Sequence, residues 1–232
     1  MLCQNNKNDS TASCGLSADD VRMPVMIVET MSLGEYQANC YIYASETSRA
    51  GFIIDPGDEA EFILESVNNL GLNIGYIILT HGHPDHTGAL ARVMEKTKAR
   101  LAMHPLDAGM LKDKFIHSLL GFSPAEITPD RLIVQGETVT QEDVFLKVIH
   151  TPGHTPGCIC LLGDGLVFSG DTLFRLNIGR TDLPGGNSSQ IITSINDKLL
   201  TLPDVTTVYP GHGPSSTISY ERQYNPYLNR GY

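Results

Sequence analysis

Four residues that can bind metal ions lie within one short segment of the chain. His81, His83, Asp85 and His86 all fall within residues 80–86. Imidazole and carboxylate together are ligands that zinc, iron and manganese accept in proteins. His81 and His83 can converge on one ion, whereas Asp85 and His86 follow the next turn and can serve a second. One ion rarely takes four ligands from so short a segment, so we predict a site for two ions.

Three further candidate ligands lie at distant points of the chain, each in a similar setting. Each follows a predicted strand and adjoins a glycine, which allows the backbone to approach an ion closely. They are His154, Asp171 and His212. Loops that leave the ends of strands commonly carry the functional residues of α/β proteins. The other histidines, His104, His117 and His150, lack this combination, and we expect them to be structural.

The hydrophobic pattern predicts the elements that must position these residues. The apolar run 76–79 is typical of a strand covered on both faces, and it leads directly into the histidine cluster. Helical spacing predicts helices over 58–70, 87–98 and 191–200, with Thr87 as a cap. In the first helix, an apolar face is predicted to contain Phe62, Ile63, Val67 and Leu70. The other predicted strands are residues 25–28, 40–44, 51–54, 101–103, 144–149, 159–162, 166–169 and 206–209. Strands 40–44 and 51–54 are expected to form a hairpin, and residues 105–130 an irregular insert.

The composition restricts the class of protein and its partners. A formal net charge of -10 disfavours nucleic acid and anionic membranes as partners. No apolar run approaches the ~18 residues needed to span a bilayer. Residues 1–23 are polar, lack the apolar stretch of a signal peptide and are predicted to be a flexible tail before a single domain, 24–232. Five irregularly spaced cysteines are not a secreted disulfide framework, so we expect a cytoplasmic protein with buried thiols.

The ligand pattern resembles that of the metallo-β-lactamase superfamily over nearly the whole chain from about Val25 onward. The matching pieces are the segment 80–88 followed by His154, Asp171 and His212, in the family's order and at similar intervals. This resemblance implies an α/β fold, a four-layer αββα sandwich with a binuclear site along one edge. It also implies that His81, His83 and His154 hold the first metal, that Asp85, His86 and His212 hold the second, and that Asp171 bridges them. Asp55 is expected to orient ligands from behind.

Within that superfamily, the chain is most similar to short glyoxalase II-like proteins. Asp171 stands where many β-lactamases of this fold have Cys, and His83 where the oxygen-reducing diiron branch has Glu. The segments 170–175 and 178–186 also resemble the glyoxalase II-like group. The resemblance implies a thioesterase that acts on S-acylglutathione or a similar small thioester through a metal-bridging hydroxide. Two divalent ions are implied, zinc or alternatively iron or manganese, with Asp85 also orienting the water.

Two other activities remain open on the same residues. Persulfide dioxygenases resemble the chain over the segment 179–182 and use one iron, which His81, His154 and Asp171 would hold. A lactonase is the third alternative.

Full-length glyoxalase II carries a further C-terminal domain that binds glutathione, and we expect that domain to be absent because the chain ends soon after His212. An anionic substrate could be steered by arginines, for which the candidates are Arg175, Arg180 and Arg222, although Arg180 is expected to form a structural salt bridge.

Overall fold

Two six-stranded sheets form the middle of the molecule in the computed structural model, which describes residues 25–124 and 126–228. The first sheet contains, in spatial order, β1 (Met26–Leu33), β2 (Ala38–Ser45), β3 (Ala50–Ile54), β4 (Asn73–Ile78), β5 (Arg100–Met103) and β6 (Arg131–Leu132). The predicted hairpin is confirmed, because β2 and β3 pair antiparallel. The predicted tail, residues 1–23, lies outside the described residues.

The second sheet is built from the second half of the chain. Its strands are β7 (Thr138–Gln141), β8 (Val144–His150), β9 (Ile159–Leu162), β10 (Leu166–Gly170), β13 (Thr207–Pro210) and β14 (Ser216–Thr217). Their spatial order is β14-β13-β10-β9-β8-β7, with β10 and β13 parallel. A separate small hairpin is formed by β11 (Leu173–Phe174) and β12 (Asn177–Ile178).

Helices cover the outer face of each sheet. The first sheet carries α1 (Ala60–Asn69) and α2 (Leu90–Thr97), and the second carries α4 (Ser188–Ser194), a π-helical turn at Ile195–Leu199 and α5 (Ile218–Tyr224). A 3-10 turn, Ala108–Lys112, and α3 (Lys114–Leu119) interrupt the connection between β5 and β6. None of the helices in the described ranges is long and apolar enough to cross a membrane.

Three apolar cores separate the four layers. Side chains alternate along a strand, so β2 directs Tyr41 and Tyr43 toward the other sheet and Cys40 and Ile42 toward the helices. Tyr41 and Tyr43 both pack on Phe168 of the second sheet, at 5.0 and 5.6 Å between ring centroids. A third core lies between the second sheet and its helices. The predicted four-layer αββα sandwich is therefore confirmed.

The predicted apolar face of the first helix is wrong in part. Ile63, Leu64 and Val67 are buried, whereas Phe62 is 53% exposed. The helix begins at Ala60 because Glu59 has a left-handed backbone (φ 49°) and its carboxylate accepts a hydrogen bond from the distant Gly34 N–H. This tertiary contact fixes where the helix starts. Phe62 is exposed because each residue turns about 100° around the helix axis, which places Phe62 beside the face that buries Ile63 and Val67.

The other two helices also differ from their predicted starts. Thr87 does not cap α2, because its N–H closes a 3-10 turn at Pro84–His86 and the helix begins only at Leu90. The late helix begins earlier than predicted, at Ser188, because the Asn187 side chain accepts a hydrogen bond from the Gln190 N–H.

The three cysteines within the described residues are free and buried, as the sequence predicts. They are Cys40, Cys158 and Cys160. Burial raises the pKa of the Cys158 thiol well above its usual range, which makes it a poor nucleophile. Cys3 and Cys14 lie outside the described residues.

Candidate metal centre

All seven predicted ligands meet at one edge of the two sheets. His81 follows β4, Asp171 follows β10 and His212 follows β13. Since β10 and β13 are parallel neighbours, their carboxyl ends reach the same edge and deliver Asp171 and His212 together. The remaining four ligands reach this edge from the two intervening loops and the 3-10 turn, namely His83, Asp85, His86 and His154.

A first group consists of three buried imidazoles. The ring centroids of His81, His83 and His154 lie 4.6 to 4.9 Å apart. His83 Nδ1 lies 2.9 Å from His154 Nε2. His154 Nδ1 donates a hydrogen bond to the Arg180 carbonyl oxygen at 2.7 Å, which leaves the Nε2 lone pair free to face the group. This group has the residue types and proximity of a three-histidine metal site.

A second group lies beside the first. His86 Nε2 lies 3.3 Å from His212 Nε2, and Asp85 Oδ2 lies 3.4 Å from the same His212 nitrogen. His212 Nδ1 donates to the Tyr36 carbonyl oxygen at 3.1 Å. As in the first group, a hydrogen bond on one ring nitrogen directs the other nitrogen into the group.

Asp171 lies between the two groups. Its Oδ2 is 3.5 Å from His154 Nε2 of the first group and 3.7 Å from His212 Nε2 of the second. Its Oδ1 is 3.4 Å from His86 Nε2. The carboxylate thus reaches both groups, as the predicted bridging role requires.

Asp55 supports the second group from behind. Its carboxylate accepts hydrogen bonds from the Thr80 N–H at 2.7 Å and the Thr80 hydroxyl at 2.5 Å. The other contact of Oδ2 is His86 Nδ1, at 3.1 Å. This contact turns the His86 ring so that Nε2 faces the second group. Thr80 Oγ1 also lies 3.0 Å from His81 Nδ1.

The ring nitrogens and carboxylate oxygens of the two groups and of Asp171 are better placed to bind cations than to hydrogen-bond with one another. Among residues 25–124 and 126–228, His81 Nε2 and Asp171 Oδ1 are buried without a hydrogen-bond partner. Buried polar atoms of this kind are rare in folded proteins and call for a missing partner. Two sets of three ligands plus a carboxylate between them fit a binuclear metal site.

The pKa values of the clustered side chains are shifted by burial and by neighbouring charges. Burial, followed by the charge of His154, lowers the pKa of His83 to about 3, so this imidazole is neutral and can be a ligand. Burial alone would lower the pKa of His86, but the carboxylates of Asp171 and Asp85 raise it well above its usual value. Burial alone would likewise raise the pKa of Asp171, and the neighbouring His86 holds it well below its ordinary range.

An open cleft of about 500 Å³ gives access to the ligands. Two arginines, Arg175 and Arg180, line this cleft. Much of the rest of its wall is apolar or aromatic, formed by Tyr36, Leu120, Phe174, Ile178 and Leu183. Tyr36 donates a hydrogen bond to the Leu120 carbonyl oxygen at 3.1 Å, and its ring packs on Phe122. Leu119, which precedes Leu120 at the end of α3, is 52% exposed.

Some residues of the site were not found by sequence reasoning. Asp107 is buried and accepts hydrogen bonds from the Thr155 hydroxyl and the Gly157 N–H, both at 2.6 Å. It thereby holds the loop that carries His154. No local pattern marks Asp107 or Tyr36, because each acts through residues at least 48 positions away.

The three histidines expected to be structural lie outside the metal groups of the described residues. His104 and His150 stack at 4.2 Å between ring centroids, and His117 Nδ1 contacts the Asp113 carbonyl oxygen. Arg180 forms the expected salt bridge, with two contacts to Asp182 at 2.7 and 2.8 Å. However, its side chain is exposed rather than buried.

Proteins of known sequence that resemble this chain span nearly its full length. A protein of Bacillus subtilis named as a probable metallo-hydrolase, YqgX, is 39% identical over 204 residues, which cover 86% of this chain and 96% of the relative. The hydroxyacylglutathione hydrolase GloC of Haemophilus influenzae is 36% identical over 215 residues, covering 88% of this chain and 99% of the relative.

Solved structures share the same fold. The B3 metallo-beta-lactamase BLEG-1 superposes with a TM-score of 0.83 at 34% identity, covering 88% of this chain and all of that one (100%). TTHA1623, solved in a di-iron-bound form, superposes with a TM-score of 0.78 at 36% identity, and the match covers 87% of this chain and 100% of that one. ETHE1 from Myxococcus xanthus superposes with a TM-score of 0.76 at 29% identity, and the match covers 89% of this chain and 86% of that one.

The family model described as the metallo-beta-lactamase superfamily matches residues 33–212, a segment that contains all seven predicted ligands. The ligand geometry, the four-layer fold and this match agree, and the chain belongs to the metallo-beta-lactamase superfamily.

Proposed function

We propose that this protein is a binuclear metal-dependent hydrolase of the glyoxalase II type, which cleaves the thioester of an S-acylglutathione or a similar small molecule. One observation carries the two-metal part of this proposal. The Asp171 carboxylate lies within 3.7 Å of ring nitrogens from both histidine groups, so it can serve two ions at once.

The side chains around the centre have separate tasks in the proposed reaction. These residues would hold two divalent ions, which would supply a nucleophilic water at neutral pH and polarise a carbonyl oxygen. Asp85 lines the cleft, so its carboxylate can orient that water and accept its proton. Asp55 and Asp107 keep the ligands of the second and first groups in place. A thiolate is a good leaving group, so the reaction needs no strong general acid.

The thioester specificity rests on similarity. GloC of Haemophilus influenzae is named for hydrolysis of hydroxyacylglutathione, and the match covers 99% of its length. Asp171 occupies the position at which many β-lactamases of this fold have Cys, and this supports a thioester over an antibiotic substrate. The apolar wall around Phe174 and Leu120 suits a small acyl chain.

A persulfide dioxygenase is the main alternative. It would use one iron held by His81, His154 and Asp171. The second group, Asp85, His86 and His212, would then have no ion to bind. The close approach of His86 and His212, at 3.3 Å between ring nitrogens, therefore favours the two-ion hydrolase. A lactonase would use the same two ions and is distinguished only by its substrate.

Turnover of a substrate panel tests the proposal. We expect zinc-loaded protein to release free thiol from S-lactoylglutathione, and iron-loaded protein to consume no oxygen with glutathione persulfide. Asp171→Ala should abolish turnover, whereas Asp143→Ala, which removes an exposed carboxylate in the turn between β7 and β8, should not. Oxygen uptake on the persulfide with no thioester cleavage would overturn the proposal. Cleavage of a lactone in place of the thioester would contradict the substrate assignment.

A further inference from the structure

The three arginines that are candidates for substrate steering differ in their charge partners. Arg222 is paired with Asp204, and Arg180 is paired with Asp182 through two contacts. Within residues 25–124 and 126–228, Arg175 forms no ion pair with a carboxylate, and it lines the same cleft as Asp85, Asp171 and His212. Its charge is therefore the one of the three that remains available to a ligand.

The turn that carries Arg175 is held by two buried residues, one in the last helix and one directly after it. Arg175 and Leu176 form the two-residue turn between β11 and β12, and Leu176 has a left-handed backbone (φ 59°). The Leu176 N–H donates to Glu221 Oε2 at 2.9 Å, and Glu221 is fully buried at 0% exposure. Asn225 Nδ2 donates to the Asn177 carbonyl oxygen at 3.0 Å and to Glu221 Oε2 at 2.8 Å. The backbone of the turn is thus fixed against α5.

The side chain of Arg175 is also supported by α5. Its guanidinium carbon lies 5.1 Å from the centroid of the Tyr220 ring. A guanidinium over an aromatic face keeps its in-plane N–H donors available, and the stacking favours the cation. A supported guanidinium loses less conformational entropy on binding a ligand than a free one would.

The location of Arg175 defines which ligand chemistry it suits. Its cleft also contains Asp85, Asp171 and His212, so a molecule that reaches the metal ligands lies in the same cleft as the guanidinium. The chain has a formal net charge of -10, so an unpaired cation here is a local exception that attracts anions. The planar fork of N–H donors matches a carboxylate in particular.

We propose that Arg175 binds a carboxylate of the substrate and makes the enzyme selective for anionic over neutral thioesters. This inference rests on the proposed thioesterase function and names the substrate class for the same site. The carboxylate could belong to the thiol half or to the acyl half of the thioester, and the test separates these two sources.

Three thioesters test the inference. S-lactoylglutathione carries its net charge in the thiol half, S-succinyl-N-acetylcysteamine carries it in the acyl half, and S-lactoyl-N-acetylcysteamine is neutral. We expect Arg175→Gln to lower kcat/KM, through KM, by about 10-fold for one anionic thioester, the low end for a hydrogen bond to a charged group. The neutral thioester should be unaffected. Arg175→Lys should restore part of the loss, because it keeps the charge without the fork.

The control is Arg92→Gln, which removes the same charge from the exposed face of α2, where Arg92 pairs with Glu61 and Glu95. This variant should leave kcat/KM unchanged for all three thioesters. Added salt should weaken turnover of the preferred anionic thioester in the native protein more than in Arg175→Gln. An equal loss for all three thioesters, or no loss for either anionic one, would overturn the inference while the thioesterase function stands.

A binding measurement separates the two proposals further. S-hexylglutathione is a thioether that cannot be hydrolysed, and its affinity for zinc-loaded protein can be measured by calorimetry. If no thioester is turned over but Arg175→Gln weakens this binding and Arg92→Gln does not, the proposed function is wrong and the anion site stands. If neither turnover nor binding depends on Arg175, the anion site is refuted.

Discussion

Replacing Asp55 by asparagine should loosen the second ion selectively. The Asp55 carboxylate accepts two hydrogen bonds from Thr80 and faces His86 Nδ1 at 3.1 Å. Asparagine has nearly the same shape but turns one acceptor into a donor, which must then face one of these groups. Asp55 has φ 50°, and asparagine tolerates this left-handed backbone better than alanine does, so the change tests the contacts and not backbone strain.

The expected loss of metal affinity follows from weakening the partner that orients one histidine, His86. Removing the partner behind a metal-bound histidine costs about 10–100-fold in metal affinity or activity. That range corresponds to about 1.4–2.7 kcal/mol, similar to the loss of one hydrogen bond to a buried charged group. The affected ring is that of His86, so the weaker affinity should belong to the ion held by the second group.

Competition with a chromophoric chelator measures the two affinities separately. We expect Asp55→Asn to weaken one of the two zinc sites within that range and to leave the other nearly unchanged. The matched variant is Asp107→Asn, whose carboxylate holds the His154 loop through Thr155 and Gly157. It should weaken the other site. Native affinities at both sites in Asp55→Asn would refute the orienting role of Asp55.

Three further predictions concern stability and loop geometry. Ile63→Ala should lower the free energy of unfolding by about 2–5 kcal/mol, measured by urea denaturation. Phe62→Ala, on the exposed side of the same helix, should change it by less than about 0.5 kcal/mol. Equal losses for the two variants would contradict the orientation of the helix. Burial and the neighbouring His150 lower the pKa of His104 to about 4, so on acidification the unfolded chain binds a proton at His104 before the folded chain does. His104→Gln should therefore reduce the stability that is lost between about pH 6.5 and about pH 4. An unchanged pH dependence of the unfolding free energy would count against this. Gly153 has φ 140° and a Cβ there would lie 2.3 Å from the Ile191 nitrogen, so Gly153→Ala should displace the His154 loop and reduce zinc content; full zinc content would show that the loop adapts.

The candidate ligands, which the structure brings together, could be proposed from sequence because their signals are local. A histidine cluster after an apolar strand, and a glycine beside His154, Asp171 and His212, are visible without knowledge of the fold. The layered αββα arrangement followed from the alternation of strands and helices together with the family resemblance. These features depend on short segments, in which composition and spacing carry most of the information.

The supporting residues could not be predicted in the same way. Asp107 and Glu221 act through contacts to residues 45 or more positions away, and neither stands in a repeating pattern. The start of α1 was misplaced for a related reason, because the contact between Glu59 and Gly34 sets it. Tertiary contacts of this kind decide helix starts and side-chain orientation, and they do not appear in local spacing.

The central claim is that one chain binds two ions through the seven ligands that meet at the sheet edge. The most direct test is the metal-to-protein ratio after equilibration with zinc and removal of unbound ions, measured by inductively coupled plasma mass spectrometry. Two ions per chain are predicted. A ratio of one ion per chain under saturating zinc would contradict the binuclear centre.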